Sequence, residues 1–130
     1  MKRKTILLVD DSNTILMMEK FILAKGGYDL ITAMNGEEAV AKAQSARPDL
    51  ILMDVIMPKM SGFEACHRLR EIEETKRTPI IMVTTRGEAA NVEAGWSNGC
   101  TDYVTKPINA VELLAKVQNL LTANVAEEVS

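Results

Sequence analysis

A small set of polar residues stands directly after short apolar runs. Asp10 and Asp11 follow Thr5–Val9, and Asp54 follows Leu50–Met53. Thr84 and Thr85 follow Ile80–Val83, and Lys106 follows Tyr103–Thr105. Taken singly, each has an ordinary explanation. An aspartate after a strand forms turns or caps the next helix, and a lysine before a proline sits in a loop. Taken together they offer three carboxylates, a hydroxyl and an ammonium. Three carboxylates in one cleft repel one another, and a single lysine cannot neutralise them all. Oxygen-only ligands suit a hard divalent ion, and Mg²⁺ binds through one or two carboxylates, water and phosphate oxygens. Such a cleft suits phosphoryl transfer, which needs positioning and charge stabilisation more than covalent chemistry by the protein. In that chemistry Asp54 is the nucleophile, giving an acyl phosphate. Asp11 binds the metal, with Asp10 helping directly or through water. Thr84 donates to a phosphoryl oxygen, and Lys106 offsets charge on another.

For these groups to meet, the apolar runs must be parallel strands. Thr5–Val9, Leu30–Ala33, Leu50–Met53, Ile80–Val83 and Tyr103–Thr105 read as strands buried on both faces. Helical patterns lie between them. One runs from Asn13 to Lys25 and stops at Gly26-Gly27. Asn35-Gly36-Glu37-Glu38 resembles a capping box. A third helix opens at Ser61 and runs through Arg70 to Glu74. Glu88–Asn98 is a weaker pattern, and Asn109 starts the last helix, whose inward positions end at Leu121. Five strand–helix repeats predict an α/β fold with a doubly wound five-stranded parallel sheet. In such a sheet ligands bind beyond the carboxyl ends of the strands at the switch point.

Bulk properties narrow the field. The 130 residues suit one domain, here 1–121 with an acidic tail 122–130 expected to fray. A net charge of -3 gives no nucleic-acid surface, and Lys2-Arg3-Lys4 is too short to be a basic patch. No run reaches the ~18 apolar residues of a membrane span, and no leader is visible, so the cytoplasm is the default. Cys66 and Cys100 form no metal or redox motif and are expected to be buried, whereas His67 reads as a surface residue.

The quoted residues carry a resemblance. Val9-Asp10-Asp11-Ser12, Met53-Asp54-Val55-Ile56-Met57-Pro58, Met60-Ser61-Gly62, Val83-Thr84-Thr85 and Tyr103-Val104-Thr105-Lys106-Pro107 resemble the receiver domains of two-component response regulators. The match spans Thr5 to about Leu121 and is nearest to the stand-alone, chemotaxis-like type. It implies the flavodoxin-like (βα)5 receiver fold with strand order 2-1-3-4-5. It further implies that Asp54 is phosphorylated by a histidine kinase or phosphotransfer protein. Asp10, Asp11, Asp54 and the backbone carbonyl of Ile56 would ligate Mg²⁺, and Thr84 and Lys106 would contact the phosphoryl group. Tyr103 would be the switch aromatic, and Lys106-Pro107 a cis peptide.

The output expected is a change in the face built from Glu88–Asn98, the fifth strand and the last helix, read by a protein partner. The protein would be a monomer or weak dimer. Trp96 reads as core or edge packing, with partner contact as the alternative. Arg86 and Ile56, at variable positions, would tune phosphoryl lifetime by controlling attacking water. An aspartate-nucleophile phosphatase would usually place a second acid where Ile56 stands, and the chain has no cap domain. A DNA-binding regulator would need an output domain beyond Leu121, and a nucleotide-binding fold a glycine-rich loop after the first strand. The sequence carries none of these.

Overall fold

The computed structural model describes residues 3–85 and 99–129, and side chains as far as 122. Five strands form one parallel sheet: β1 (Thr5–Val9), β2 (Asp29–Ala33), β3 (Leu50–Asp54), β4 (Ile80–Thr85) and β5 (Asp102–Lys106). Their order is β2-β1-β3-β4-β5, as the family resemblance implied. The chain leaves β1 for β2 on one side and returns to β3 on the other. A crevice therefore opens at the carboxyl ends of β1 and β3. The ladders fix which strand ends meet. Val9 pairs with Met53, Asp54 with Val83, and Thr85 with Lys106.

Strand alternation sends successive side chains to opposite faces, and both faces are covered. Leu7, Ile51, Met53, Ile80 and Met82 pack under α2 (Gly36–Ala46) and α3 (Gly62–Glu71). Ile6, Leu8, Leu52, Ile81, Val83 and Val104 pack under α1 (Asn13–Ala24) and the C-terminal helix (Ala110–Val129). All four described helices begin at side-chain caps: Ser12, Asn35, Ser61 and Asn109 accept from the backbone N–H groups of Ile15, Glu38, Glu64 and Glu112.

Two helix ends depart from expectation. α3 stops at Glu71 rather than Glu74 because Thr75 Oγ1 donates to Leu69 O at 2.7 Å. Arg70 then takes the carbonyls of Thr75 and Thr78, at 3.2 and 2.7 Å, which draws the chain into a turn. The last helix continues past Leu121 to Val129. Residues 122–129 contain no Gly or Pro, and alanine and glutamate favour continued helix. Both cysteines are buried, His67 lies on the surface, and Lys106-Pro107 is cis. The expected helix Glu88–Asn98, Trp96 and Arg86 lie outside the described residues.

Candidate functional site

The turn from β1 into α1 builds the first part of the site. Asp10 directly follows the last residue of the strand, and its Oδ1 accepts the N–H of Ser12 at 2.9 Å while Ser12 caps α1. Asp10 is thereby buried to 1% exposure, and Asp11 turns outward to solvent. Asp54 ends β3 on the adjacent strand and is 6% exposed. Asp10, Asp11 and Asp54 each bring a carboxylate oxygen within 4.8 Å of the others. Lys106, from the far edge of the sheet, closes the group. Its ammonium lies 3.3 Å from Asp54 Oδ1 and 3.4 Å from Asp10 Oδ2.

The electrostatics follow from that inventory. Burial, and then the charge of Asp10, pushes the Asp54 carboxyl up to about 6, against the pull of Lys106. Asp10 is also raised by burial, offset by the Ser12 N–H and by Lys106. Burial would lower the Lys106 ammonium, but Asp54 and Asp10 outweigh it and raise it. At neutral pH the group holds three acids against one base. A divalent cation fits this donor set, because every ligand is a hard oxygen and the acids are not neutralised by what surrounds them.

The remaining expected residues fall elsewhere. Asp10, Asp54 and Lys106 share strand parity with Leu8, Leu52 and Val104, so they leave the sheet on the α1 side. Thr84 and Tyr103 share parity with Met82 and face the other way. Tyr103 pairs with Met82 and packs on its cluster. Thr84 is buried at 2% exposure and directly follows Val83, the register partner of Asp54. Ile56 is 64% exposed just beyond Asp54.

One buried acid has no counterpart among the expected residues. Glu19 lies in the apolar stripe of α1, between Leu16 and Ile22, and is 1% exposed. Its Oε1 is buried with no hydrogen-bond partner. Burial, reinforced by the charges of Asp10 and Asp54, pushes it up to about 8. The signal in the sequence is a glutamate three residues after Leu16, at the helical spacing of core positions.

Known proteins share this arrangement. The family model described as the response regulator receiver domain matches residues 6–118. The chain is 42% identical over 118 residues to the alkaline phosphatase synthesis transcriptional regulatory protein PhoP of Bacillus subtilis, covering 91% of this chain and 48% of PhoP. It spans about half the length of the first curated relatives it matches. PilH of Pseudomonas aeruginosa is 38% identical over 116 residues, covering 89% of this chain and 96% of PilH. Among solved structures, the receiver domain of the sensor histidine kinase PA1611 from Pseudomonas aeruginosa PAO1 superposes with a TM-score of 0.86 at 30% identity. That match covers 93% of this chain and 99% of the other, whose active-site cleft is described as coordinating magnesium. With a fold, an acid group and a family model in agreement over most of its length, the chain belongs to the response regulator receiver domain family, the phosphoacceptor modules of two-component signalling.

Proposed function

We propose that Asp54 accepts a phosphoryl group from the phosphohistidine of a histidine kinase or phosphotransfer protein, in a Mg²⁺-dependent reaction, and that the modified domain signals to a protein partner. The observation that carries this reading is the environment of Asp54. It is buried at a strand end, paired with Lys106, and within 4.8 Å of two further carboxylates. With its carboxyl near 6, Asp54 is mostly ionised at neutral pH and available as a nucleophile. Its oxygen forms the new bond to phosphorus as the bond to the donor's imidazole nitrogen breaks. Lys106 already spans Asp54 and Asp10, so it can follow the developing charge without a large movement. Thr84 supplies a hydroxyl from the adjacent strand end. Asp10, Asp11, Asp54 and the Ile56 carbonyl would hold Mg²⁺, which when bound would neutralise charge on the phosphoryl oxygens.

The donor protein needs a surface beside this edge. α1 begins at the acid pair and exposes Met17, Met18 and Phe21, and Ile56 is exposed beyond Asp54. These side chains supply apolar contact area next to the reacting carboxylate. Output is read at the β5 edge, with Tyr103 on one side of the sheet and the C-terminal helix on the other. Residues 1–121 form the receiver unit and act in the cytoplasm as a monomer or weak dimer.

Incubating the protein and Asp54→Ala with Mg²⁺ and a small phosphodonor, and following mass, tests the assignment. The unchanged chain gains one phosphoryl group and the variant none; equal labelling of both overturns it.

A further inference from the structure

Residues 55–60 carry the chain from Asp54 to Ser61, the cap of α3. Val55, Met57 and Met60 are buried in one core cluster, whereas Ile56, Pro58 and Lys59 are exposed. The segment is closed by two backbone bonds. Gly62 N donates to Val55 O at 2.8 Å, and Met60 N donates to Pro58 O at 2.8 Å. The second bond spans a single residue, so Pro58-Lys59-Met60 is a three-residue turn, and Lys59 at its centre has a φ of 70°. A γ-turn with positive central φ is the rare and strained of the two forms.

Among the described residues one other non-glycine has a positive φ, and it has an ordinary reason. Arg47, at 48°, ends α2 as its C-cap, with its N–H on Ala43 O at 3.0 Å. Lys59 ends no helix. The Cβ of a lysine disfavours this backbone conformation, so the surroundings must hold it there. Met57 and Met60 anchor the turn in the core on either side, at 9% and 5% exposure. The start of α2 leaves no slack behind it: a Cβ at Gly36 would stand 2.7 Å from Met60 O and 2.8 Å from Met60 Cβ.

We propose that Lys59 is a positioning residue: its turn, held between the buried Met57 and the start of α2, fixes the backbone at Ile56 before any cation arrives, so that the Ile56 carbonyl meets Mg²⁺ with little ordering left to do. A ligand carried by the main chain is only as well placed as its loop, and fixing that loop beforehand removes an ordering cost from binding. The role belongs to the backbone of Lys59, whose side chain is exposed. The inference rests on the proposed reading of the Ile56 carbonyl as a ligand.

Three variants separate the turn from the charge. Lys59→Gln removes the ammonium and keeps an unbranched side chain. Lys59→Val brings a β-branch, the poorest choice at positive φ. Gly36→Ala presses on Met60 from another element. Calorimetric titration with Mg²⁺ reads the site, and the ¹³C resonance of the Ile56 carbonyl in the metal-free protein reads the loop. Lys59→Val should move that resonance and weaken Mg²⁺ binding roughly three- to tenfold. Gly36→Ala should act in the same direction, and it decides alone if Lys59→Val does not fold. Lys59→Gln should leave the resonance in place and binding within about twofold, because an exposed charge contributes little. Mg²⁺ binding by Lys59→Val and Gly36→Ala as tight as in the unsubstituted chain overturns the role of the turn. A loss in Lys59→Gln equal to that in Lys59→Val overturns it too. An Ile56 carbonyl resonance that ignores Mg²⁺ in the unsubstituted chain removes Ile56 as a ligand, and this inference with it.

Discussion

Asp10 and Glu19 are both carboxyls at 1% exposure on the same side of the sheet, yet they are buried on different terms. Asp10 accepts a backbone N–H from Ser12 and faces the Lys106 ammonium. Glu19 Oε1 has no hydrogen-bond partner and stands among leucines and isoleucines. Burial raises both, but hydrogen bonds from Ser12 and Lys106 pull Asp10 back, whereas Glu19 is pulled back only by the charge of Lys106, against the added charges of Asp10 and Asp54. Glu19 therefore keeps its proton at neutral pH, and the charge of the edge is confined to Asp10, Asp11 and Asp54. The contrast teaches that burial alone does not make an acid part of an ionic site; the donors supplied by the local turn and by β5 do.

The largest expected effect is on stability against pH. Glu19 ionises near 4.5 in the unfolded chain and near 8 in the fold, so between these values the unfolded state binds fewer protons. Stability should fall as pH rises through that window, with the full loss reached above about 8. Asp54 adds a loss of the same sign between 3.8 and about 6, so the stretch above 6 isolates Glu19. Urea unfolding from about pH 6 to 8.5 should show a decline of the order of 2–3 kcal/mol that Glu19→Gln largely removes. Parallel curves for the two chains would break the contrast.

Next comes cation affinity. Asp10→Asn should weaken Mg²⁺ binding by about 10- to 100-fold in calorimetric titration, by analogy with lost support around metal ligands. Glu19→Gln should change it less than about threefold, because a neutral acid is replaced by a neutral amide. Equal effects would place both acids in the ionic site. A smaller change is expected at Asp54. Lys106→Met removes its cation, so its carboxyl should move above 6 by roughly one unit in a ¹³C NMR titration. The smallest effect is Ser12→Ala. It removes the cap on α1 but keeps the N–H donated to Asp10, and should cost about 1 kcal/mol in thermal or urea melts with Mg²⁺ affinity preserved.

Much of this molecule was legible in advance because its elements have strong local signals. Five apolar runs became five strands, and Ser12, Asn35 and Ser61 marked helix starts where they stand. The convergence of Asp10, Asp11, Asp54 and Lys106 followed from strand ends sharing one edge. What could not be read there depended on contacts between distant residues. The end of α3 is set by Arg70 and Thr75 reaching for carbonyls, a tertiary event that helix propensity does not encode. Which side of the sheet each strand-end residue takes follows from strand alternation and register together, which give Thr84 the parity of Met82 and Asp54 that of Leu52. Glu19 was hidden because a glutamate in a helix reads as solvent-facing unless its spacing from Leu16 and Ile22 is weighed first.

Gly62 opens α3, and its N–H donates to Val55 O at 2.8 Å. A side-chain carbon there would collide with the carbonyl oxygen of Asp54 and press on Met82. The loop leaving Asp54 thus returns to rest against the backbone it came from. In a genetic screen for loss of signalling, position 62 would score with the acids, although it has no group that can bind a metal or a phosphate. Its tolerance map would separate the variants that damage chemistry from those that merely displace it: larger residues at 62 should leave every reactive group present and the protein silent.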